Sequence, residues 1–288
     1  MSFAKSLSRF LFLYLLVLTS ACTLHAGDST QLERPLCWGW LEASLFDAWR
    51  DVAHRYGRPD KDVEDITFQD HALFAGDSTQ LYGYRAFAKT ARPDSQPAIL
   101  IAPGNAMLAD QLYRFAAYFA RRGMTAYIFD YRGYGGSGGT PYSNAIIHDY
   151  REILSVVANE AHAQVYVYAM SFGGIVVLAA LADAEQPAAL VLDGVPSKLP
   201  WYAFCPDWLD PVISIEHASA RTLVISGTDD PVLPPSDMAD LFKKARERGM
   251  QAVLLEGFSH PGLDEREKTA QRLAVVEEFL NNCCREEE

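Results

Sequence analysis

The stretch that decides the fold is "VYVYAMSFGGIVVLAALA", Val165–Ala182, in which two apolar runs meet at Ser171. The first run is short and rich in β-branched and aromatic residues, which is typical of a buried strand, and the second has the length of a buried helix. The glycines that follow Ser171 allow the chain to turn sharply between them. The stretch therefore predicts a parallel α/β sheet with Ser171 at the carboxyl end of a strand, where such sheets bind ligands.

Further short apolar runs repeat this pattern along the chain, and helix-length segments separate or follow them. The runs are Ala98–Pro103, Thr125–Asp130, Leu190–Gly194, Arg221–Gly227 and Gln251–Gly257. Strands that are almost continuously apolar are buried on both faces, as in parallel sheets covered by helices. Before them, Ile66–Phe68 and Leu81–Phe87 alternate as an exposed hairpin does. We predict an α/β domain over residues 66–288, with a doubly wound, mostly parallel sheet, helices on both faces and a short lid between Val195 and Ala220.

Composition narrows the function classes. The 288 residues are 49% hydrophobic and carry a formal net charge of −12, which fits one large globular domain. Lys and Arg form no block, so binding of nucleic acid is disfavoured. The sequence has neither a CxxC nor an HExxH pattern, and no metal is implied. The glycine-rich segment 133–139 is a weak match to a nucleotide-binding loop, because no acidic residue follows at the right strand end.

The first residues have the layout of an export signal. Lys5 and Arg9 precede the apolar run Phe10–Leu18, and small residues lead to Cys22. The run is about half as long as a membrane-spanning helix needs. We expect a signal peptide over 1–21 and an N-terminal extension over 22–65 packed on the domain. "LTSAC" resembles a bacterial lipobox, which implies a lipid attached to Cys22 and an envelope lipoprotein facing the periplasm; plain secretion or a retained helix are the alternatives.

The remaining cysteines could pair in an oxidising compartment. They are Cys37, Cys205, Cys283 and Cys284, and four cysteines allow three pairings. A bridge between adjacent cysteines is awkward, so we expect Cys37 or Cys205 to pair with one of the two C-terminal cysteines. Free buried thiols explain the sequence equally well.

Three residues at strand ends could form a catalytic triad. A serine hydroxyl needs a nearby base, and the base needs a group that orients it. After Ser171, Asp230 follows one predicted strand and His260 follows the last one. Serine, acid and histidine in this chain order are typical of one class of hydrolases. Asp229 and Asp193 remain alternatives for the acid, and Ser171 could instead be an ordinary helix N-cap.

From Ala98 onward the chain resembles the α/β-hydrolase superfamily. The resemblance rests on the elbow at Ser171, on "FDYRGYGGSGG", Phe129–Gly139, and on "GTDDPVLP", Gly227–Pro234. It implies that Asp230 is the acid. In "IAPGNAM", Ile101–Met107, Pro103 stands where the superfamily usually has histidine. The resemblance implies an oxyanion hole built from the backbone N–H groups of Asn105 and Phe172.

These residues together predict a serine hydrolase that cleaves an ester or thioester through an acyl-enzyme and needs no cofactor. The elbow and the compact strand spacing look most similar to small membrane-associated esterases, whose substrate would be a small acyl ester or thioester. We expect an apolar wall for the acyl chain from lid residues Trp201, Tyr202, Phe204 and Trp208. The alternatives are a peptidase related to prolyl oligopeptidase and a non-catalytic surface lipoprotein.

Overall fold

Eight strands form one sheet in the computed structural model, in the order β1-β2-β4-β3-β5-β6-β7-β8. The structure describes residues 32, 34–161, 163–200 and 203–283, which belong to one compact unit. The strands are β1 Ile66–Phe74, β2 Gln80–Ala88, β3 Ala98–Ala102, β4 Thr125–Phe129, β5 Val165–Met170, β6 Ala189–Asp193, β7 Thr222–Gly227 and β8 Gln251–Leu255. β1 and β2 pair antiparallel, β2 pairs antiparallel with β4, and all other neighbours are parallel. The mostly parallel sheet predicted from the sequence is confirmed.

Helices cover both faces of the sheet, which is why the central strands are apolar throughout. The described helices of four or more residues are α1 Glu42–Arg55, α2 Tyr113–Ala120, α3 Ser143–Ala161, α4 Phe172–Ala180, α5 Pro211–Ser214, α6 Pro235–Glu247 and α7 Arg266–Cys283. Buried residues of α1, α3, α4 and α6 form one core with the sheet, and those of α2 and α7 form the other. The doubly wound architecture places the carboxyl ends of the parallel strands at one edge.

The heptapeptide AGDSTQL occurs twice, at residues 26–32 and 75–81, and the second copy makes the turn between β1 and β2. Asp77 Oδ1 accepts a hydrogen bond from the Thr79 N–H at 2.9 Å. Its other oxygen accepts one from Arg132 at 2.9 Å, and Arg132 also pairs with Asp149 through two hydrogen bonds. The second copy therefore ties the hairpin to the loop after β4. The first copy lies outside the described residues except for Leu32.

The disulfide joins Cys37 to Cys205, with their Cα atoms 4.4 Å apart. The predicted bridge to Cys283 or Cys284 is therefore wrong. Cys283 instead donates from its thiol to the Leu280 carbonyl at 3.5 Å, and Cys284 lies outside the described residues. The two paired cysteines are 168 positions apart, so nothing local in the sequence indicates that they meet. They meet because the segment before α1 lies against the lid between β6 and β7.

The lid between β6 and β7 is short, as predicted, and carries α5 with a 3₁₀ turn on each side. Within the part of the chain that the structure describes, no helix is long and apolar enough to cross a membrane. The predicted signal peptide and lipid site at Cys22 lie outside that part. So do Trp201 and Tyr202 of the lid.

Candidate active site

Ser171 occupies a strained turn between β5 and α4. Its φ of 49° and ψ of −118° fall outside the regions that side-chain-bearing residues ordinarily adopt. Strain of this kind costs roughly 1–3 kcal/mol and is concentrated at functional sites. The serine stands at the N-cap position of α4, yet its side chain makes no capping hydrogen bond. The alternative that Ser171 is an ordinary helix cap is therefore not supported.

Glycine is required where α4 packs against the loop after β3. A Cβ added to Gly173 would lie 2.5 Å from the Pro103 carbonyl oxygen, which is closer than real Cβ atoms approach backbone. A Cβ added to Gly104 would lie 3.4 Å from Ser171 Cβ. The first turn of α4 and the loop after β3 therefore lie against each other, and that loop runs beside the serine.

Asp230 and His260 form a buried pair. His260 Nδ1 lies 2.7 Å from Asp230 Oδ2, and both residues are only 5% exposed. The other carboxylate oxygen accepts the N–H groups of Val232 and Leu233 at 2.8 Å each. Burial acts to raise the pKa of Asp230, but the hydrogen bonds from His260 and from these two N–H groups outweigh burial, so the pKa lies below its ordinary value. The carboxylate is thus ionised at neutral pH and can hold an imidazole in one tautomer.

Asp229 takes no part in this pair. It is exposed, and its side chain accepts a hydrogen bond from the Thr228 hydroxyl at 3.0 Å. Of the two adjacent aspartates in the sequence, the structure places only Asp230 against the histidine.

The carboxyl end of β6 lies next to both Ser171 and His260. The Ser171 N–H donates to the Asp193 carbonyl at 2.8 Å, and a Cβ added to the next residue, Gly194, would lie 3.1 Å from His260 Cε1. Ser171 and the imidazole of His260 therefore both lie next to the Asp193–Gly194 segment. Among the described residues no direct hydrogen bond joins Ser171 Oγ to His260. Such contacts are often long without substrate and shorten in the reacting complex.

The carboxylate of Asp193 belongs to a different hydrogen-bond network. Asp193 is therefore not the acid that faces His260, although the sequence left it as an alternative. Its carboxylate accepts hydrogen bonds from the buried Arg272 and from the Tyr168 hydroxyl. Arg272 also binds Asp264 and the Ser259 carbonyl, and Asp264 accepts the Ser259 N–H at 2.7 Å. Both backbone groups of the residue before His260 are thereby fixed. Arg272 therefore positions the histidine loop, a role that helix periodicity alone would not reveal.

The backbone N–H groups predicted for the oxyanion hole are available. Across the described residues, neither the Asn105 N–H nor the Phe172 N–H has a hydrogen-bond acceptor in the protein. Phe172 is the first residue of α4, where backbone N–H groups have no intrahelical partner and the helix dipole favours negative charge. Both residues also line the same pocket.

Two tyrosines of the segment Phe129–Gly139 brace the loop that carries Asn105. The Tyr131 hydroxyl donates to the Pro103 carbonyl. The Tyr134 hydroxyl lies 2.8 Å from Asn105 Oδ1 and 3.0 Å from the Phe46 carbonyl, and it donates to one of them at a time. This role was not predicted from the sequence. The substitution of histidine by Pro103 was the available signal, because it requires another side chain to hold the loop.

An apolar pocket opens beside these N–H groups, and the space between its walls, with the solvent at its open mouth included, is about 500 Å³. Its lining comes from α1 and the segment before it, from the loop after β3, from α3 and α4, and from the lid. The lining residues are Cys37, Trp38, Leu45, Phe46, Trp49, Asn105, Ser143, Ile147, Phe172, Ile175, Val176, Leu199, Cys205 and Leu209. The predicted wall of lid aromatics is wrong for Phe204 and Trp208, which are 76% and 45% exposed and do not line the pocket. The N-terminal segment supplies the aromatic wall instead.

One group of side chains has the spacing of a metal site but is already paired. The ligand atoms of His148, Asp149 and Glu152 lie within 4.8 Å of one another. Asp149 is bound to Arg132, and both oxygens of Glu152 accept the Gly76 N–H. We assign no metal to this group.

Comparison with known proteins identifies the fold. A family model described as "Serine aminopeptidase, S33" matches residues 93–211. The solved structure of XC6422 from Xanthomonas campestris, described as an α/β serine hydrolase without lid, has a TM-score of 0.57 at 20% identity and covers 74% of this chain and 94% of its own. The chain has the α/β-hydrolase fold.

Two curated relatives extend the comparison. The uncharacterized protein YfhR of Salmonella typhi is 27% identical over 249 residues, which are 77% of this chain and 82% of that protein. Lysophosphatidylserine lipase ABHD12 of Bos taurus is 29% identical over 171 residues, which are 49% of this chain and 43% of that protein. The family match and the α/β-hydrolase fold together support a hydrolase.

Proposed function

We propose that the protein is a serine hydrolase that cleaves an ester or thioester through an acyl-enzyme. The observation that carries the proposal is the buried Asp230–His260 pair beside a strained Ser171 that makes no capping bond. A buried, ionised carboxylate that faces His260 Nδ1 is the arrangement that orients a general base.

The proposed reaction gives each of these groups a defined role. Ser171 Oγ attacks the acyl carbonyl while its proton passes to His260 Nε2. Asp230 accepts the hydrogen bond from His260 Nδ1, which stabilises the imidazolium. The N–H groups of Asn105 and Phe172 bind the oxyanion, and the imidazolium gives its proton to the leaving alkoxide or thiolate. Water, deprotonated by His260, then attacks the serine ester, and the imidazolium returns the proton to Ser171 Oγ as the acid is released.

The pocket favours an acyl ester over a peptide. An aminopeptidase, the activity in the name of the matching family, needs a negative group for the substrate ammonium. Among the described residues that line the pocket there is no charged side chain. An apolar acyl chain fits such a lining, because hydrocarbon can be buried there without the dehydration of a charged group.

A substrate panel tests the reaction class. p-Nitrophenyl acetate, p-nitrophenyl decanoate, an acyl thioester and alanine p-nitroanilide are offered to the full-length protein and to Ser171→Ala. The proposal expects Ser171-dependent hydrolysis of the esters or the thioester with kcat/KM above that of the anilide. Faster cleavage of the anilide supports the peptidase alternative.

For location, we propose an exported protein held to the membrane by a lipid on Cys22. The lipobox-like "LTSAC" motivates the lipid, and the Cys37–Cys205 disulfide supports an oxidising compartment, since such bonds are rare in reducing ones. Mass analysis of the natively expressed protein should give a chain that begins at an acylated Cys22. An unmodified chain that begins elsewhere contradicts the anchor.

A further inference from the structure

The pocket beside Ser171 has an inner wall that belongs to the hydrolase domain. Phe172, Ile175 and Val176 reach it from the first two turns of α4, and Ile147 reaches it from α3. Phe172 follows the nucleophile directly in the chain and Asn105 also lines the pocket, so the pocket adjoins both predicted oxyanion donors. A chain attached to the acyl carbonyl can therefore enter the pocket without leaving the oxyanion hole.

The outer wall belongs to the N-terminal segment Cys37–Trp49. Trp38, Leu45, Phe46 and Trp49 all line the pocket. The Phe46 ring lies 5.5 Å from the Phe172 ring, so the two walls meet next to the nucleophile. Without this segment the groove above α4 would be open to solvent on one side.

The disulfide fixes this outer wall to the lid. Cys37 and Cys205 are themselves lining residues, and the Trp38 N–H donates to the Ala203 carbonyl at 2.6 Å. Trp38 and Phe204 both have a φ of 51°, a left-handed conformation that bulky residues seldom adopt. Two such residues beside one covalent link indicate that the link holds a specific shape of the chain at the pocket.

We propose that this pocket binds the hydrocarbon chain of the acyl group and that the N-terminal segment, clamped by the Cys37–Cys205 disulfide, sets the preference for chain length. The inference rests on the proposed serine-hydrolase function and adds its substrate class: esters or thioesters of unbranched fatty acids. Each methylene that becomes buried in the pocket should raise kcat/KM by roughly fourfold until the pocket is full.

Leu41 and Leu45 offer a matched pair of variants. Leu41 is the residue just before α1 and Leu45 lies in the first turn of that helix; they are 42% and 36% exposed, but only Leu45 lines the pocket. Leu45→Trp places extra volume at the pocket, whereas Leu41→Trp adds it to a surface outside the lining. Ile147→Phe fills the same space from the opposite wall.

The measurement is the ratio of kcat/KM for p-nitrophenyl decanoate to kcat/KM for p-nitrophenyl acetate. Leu45→Trp and Ile147→Phe should each lower this ratio by about 16-fold, which corresponds to roughly two methylenes that lose their burial. Leu41→Trp should leave the ratio within about twofold, as expected for a surface substitution. An unchanged ratio in both pocket variants, with thermal unfolding that confirms they are folded, overturns the proposal, as does an equal fall in the control.

A binding measurement separates this proposal from the proposed function. Sodium decanoate is titrated calorimetrically into Ser171→Ala, which cannot turn over, and into the same protein carrying Leu45→Trp. Binding that weakens in the second protein supports the pocket even if no ester is hydrolysed. Absence of decanoate binding in Ser171→Ala, with ester hydrolysis intact in the native protein, overturns the pocket and leaves the serine-hydrolase function standing.

Discussion

Replacing Asp230 by asparagine should abolish most activity through the tautomer of His260. One oxygen of the carboxylate accepts two backbone N–H groups at 2.8 Å, and the other faces His260 Nδ1 at 2.7 Å. In Asp230→Asn the amide oxygen must keep the two N–H donors, so the amide NH₂ faces the imidazole. An NH₂ group donates and does not accept, so it selects the tautomer that carries its proton on Nε2. That nitrogen can then no longer take the proton of Ser171.

The expected loss in kcat is about 10⁴, as measured for the corresponding substitution in a serine protease, or about 5.5 kcal/mol of transition-state stabilisation. Hydrolysis of p-nitrophenyl acetate measures it, and thermal unfolding confirms that the variant is folded. Asp229→Asn is the control, because Asp229 is exposed and should retain activity within about twofold. Asp230→Asn that keeps more than about a tenth of kcat, or Asp229→Asn that loses as much, refutes the tautomer argument.

Three further predictions concern the supports of the site. Tyr134→Phe removes the hydroxyl beside Asn105 Oδ1. The kcat should fall about tenfold, which is less than the effect of losing an oxyanion donor itself, and KM should change little. An unchanged kcat contradicts the bracing role. Arg272→Met leaves two buried carboxylates unpaired and should lower the free energy of unfolding by about 3–5 kcal/mol in urea denaturation, with part restored by Arg272→Lys. Joint replacement of Cys37 and Cys205 by serine should lower that free energy by about 2–4 kcal/mol; a native Tm in this variant would argue against the bond.

The fold could be predicted because its central signals are local. Apolar strands such as Val165–Met170 alternate with helix-length segments, and this alternation specifies a doubly wound sheet without any long-range information. Chain order and strand ends also led to Ser171, Asp230 and His260. The structure pairs the last two directly, and it excludes Asp193 and Asp229 from contact with the imidazole nitrogen by engaging both elsewhere.

What the sequence could not predict depends on contacts between distant segments. The sequence predicts only that the N-terminal extension over 22–65 packs on the domain, whereas the share of Cys37–Trp49 in the pocket depends on contacts with the distant lid, including the bridge to Cys205. The lid aromatics Phe204 and Trp208 were expected to face the acyl chain but lie exposed. An amphipathic pattern predicts which face of a segment is buried. The surface that this face contacts is decided by tertiary packing.

The central claim is that Ser171 is a nucleophile activated by His260. A fluorophosphonate probe tests it most directly, because phosphonylation uses the nucleophile, base and oxyanion donors of acyl transfer and requires no knowledge of the substrate. The native protein should be labelled, Ser171→Ala should take no label, and His260→Ala should be labelled slower by orders of magnitude, with all three folded by thermal unfolding. A folded native protein that stays unlabelled beside an active serine hydrolase, or a Ser171→Ala variant that labels normally, would contradict the account.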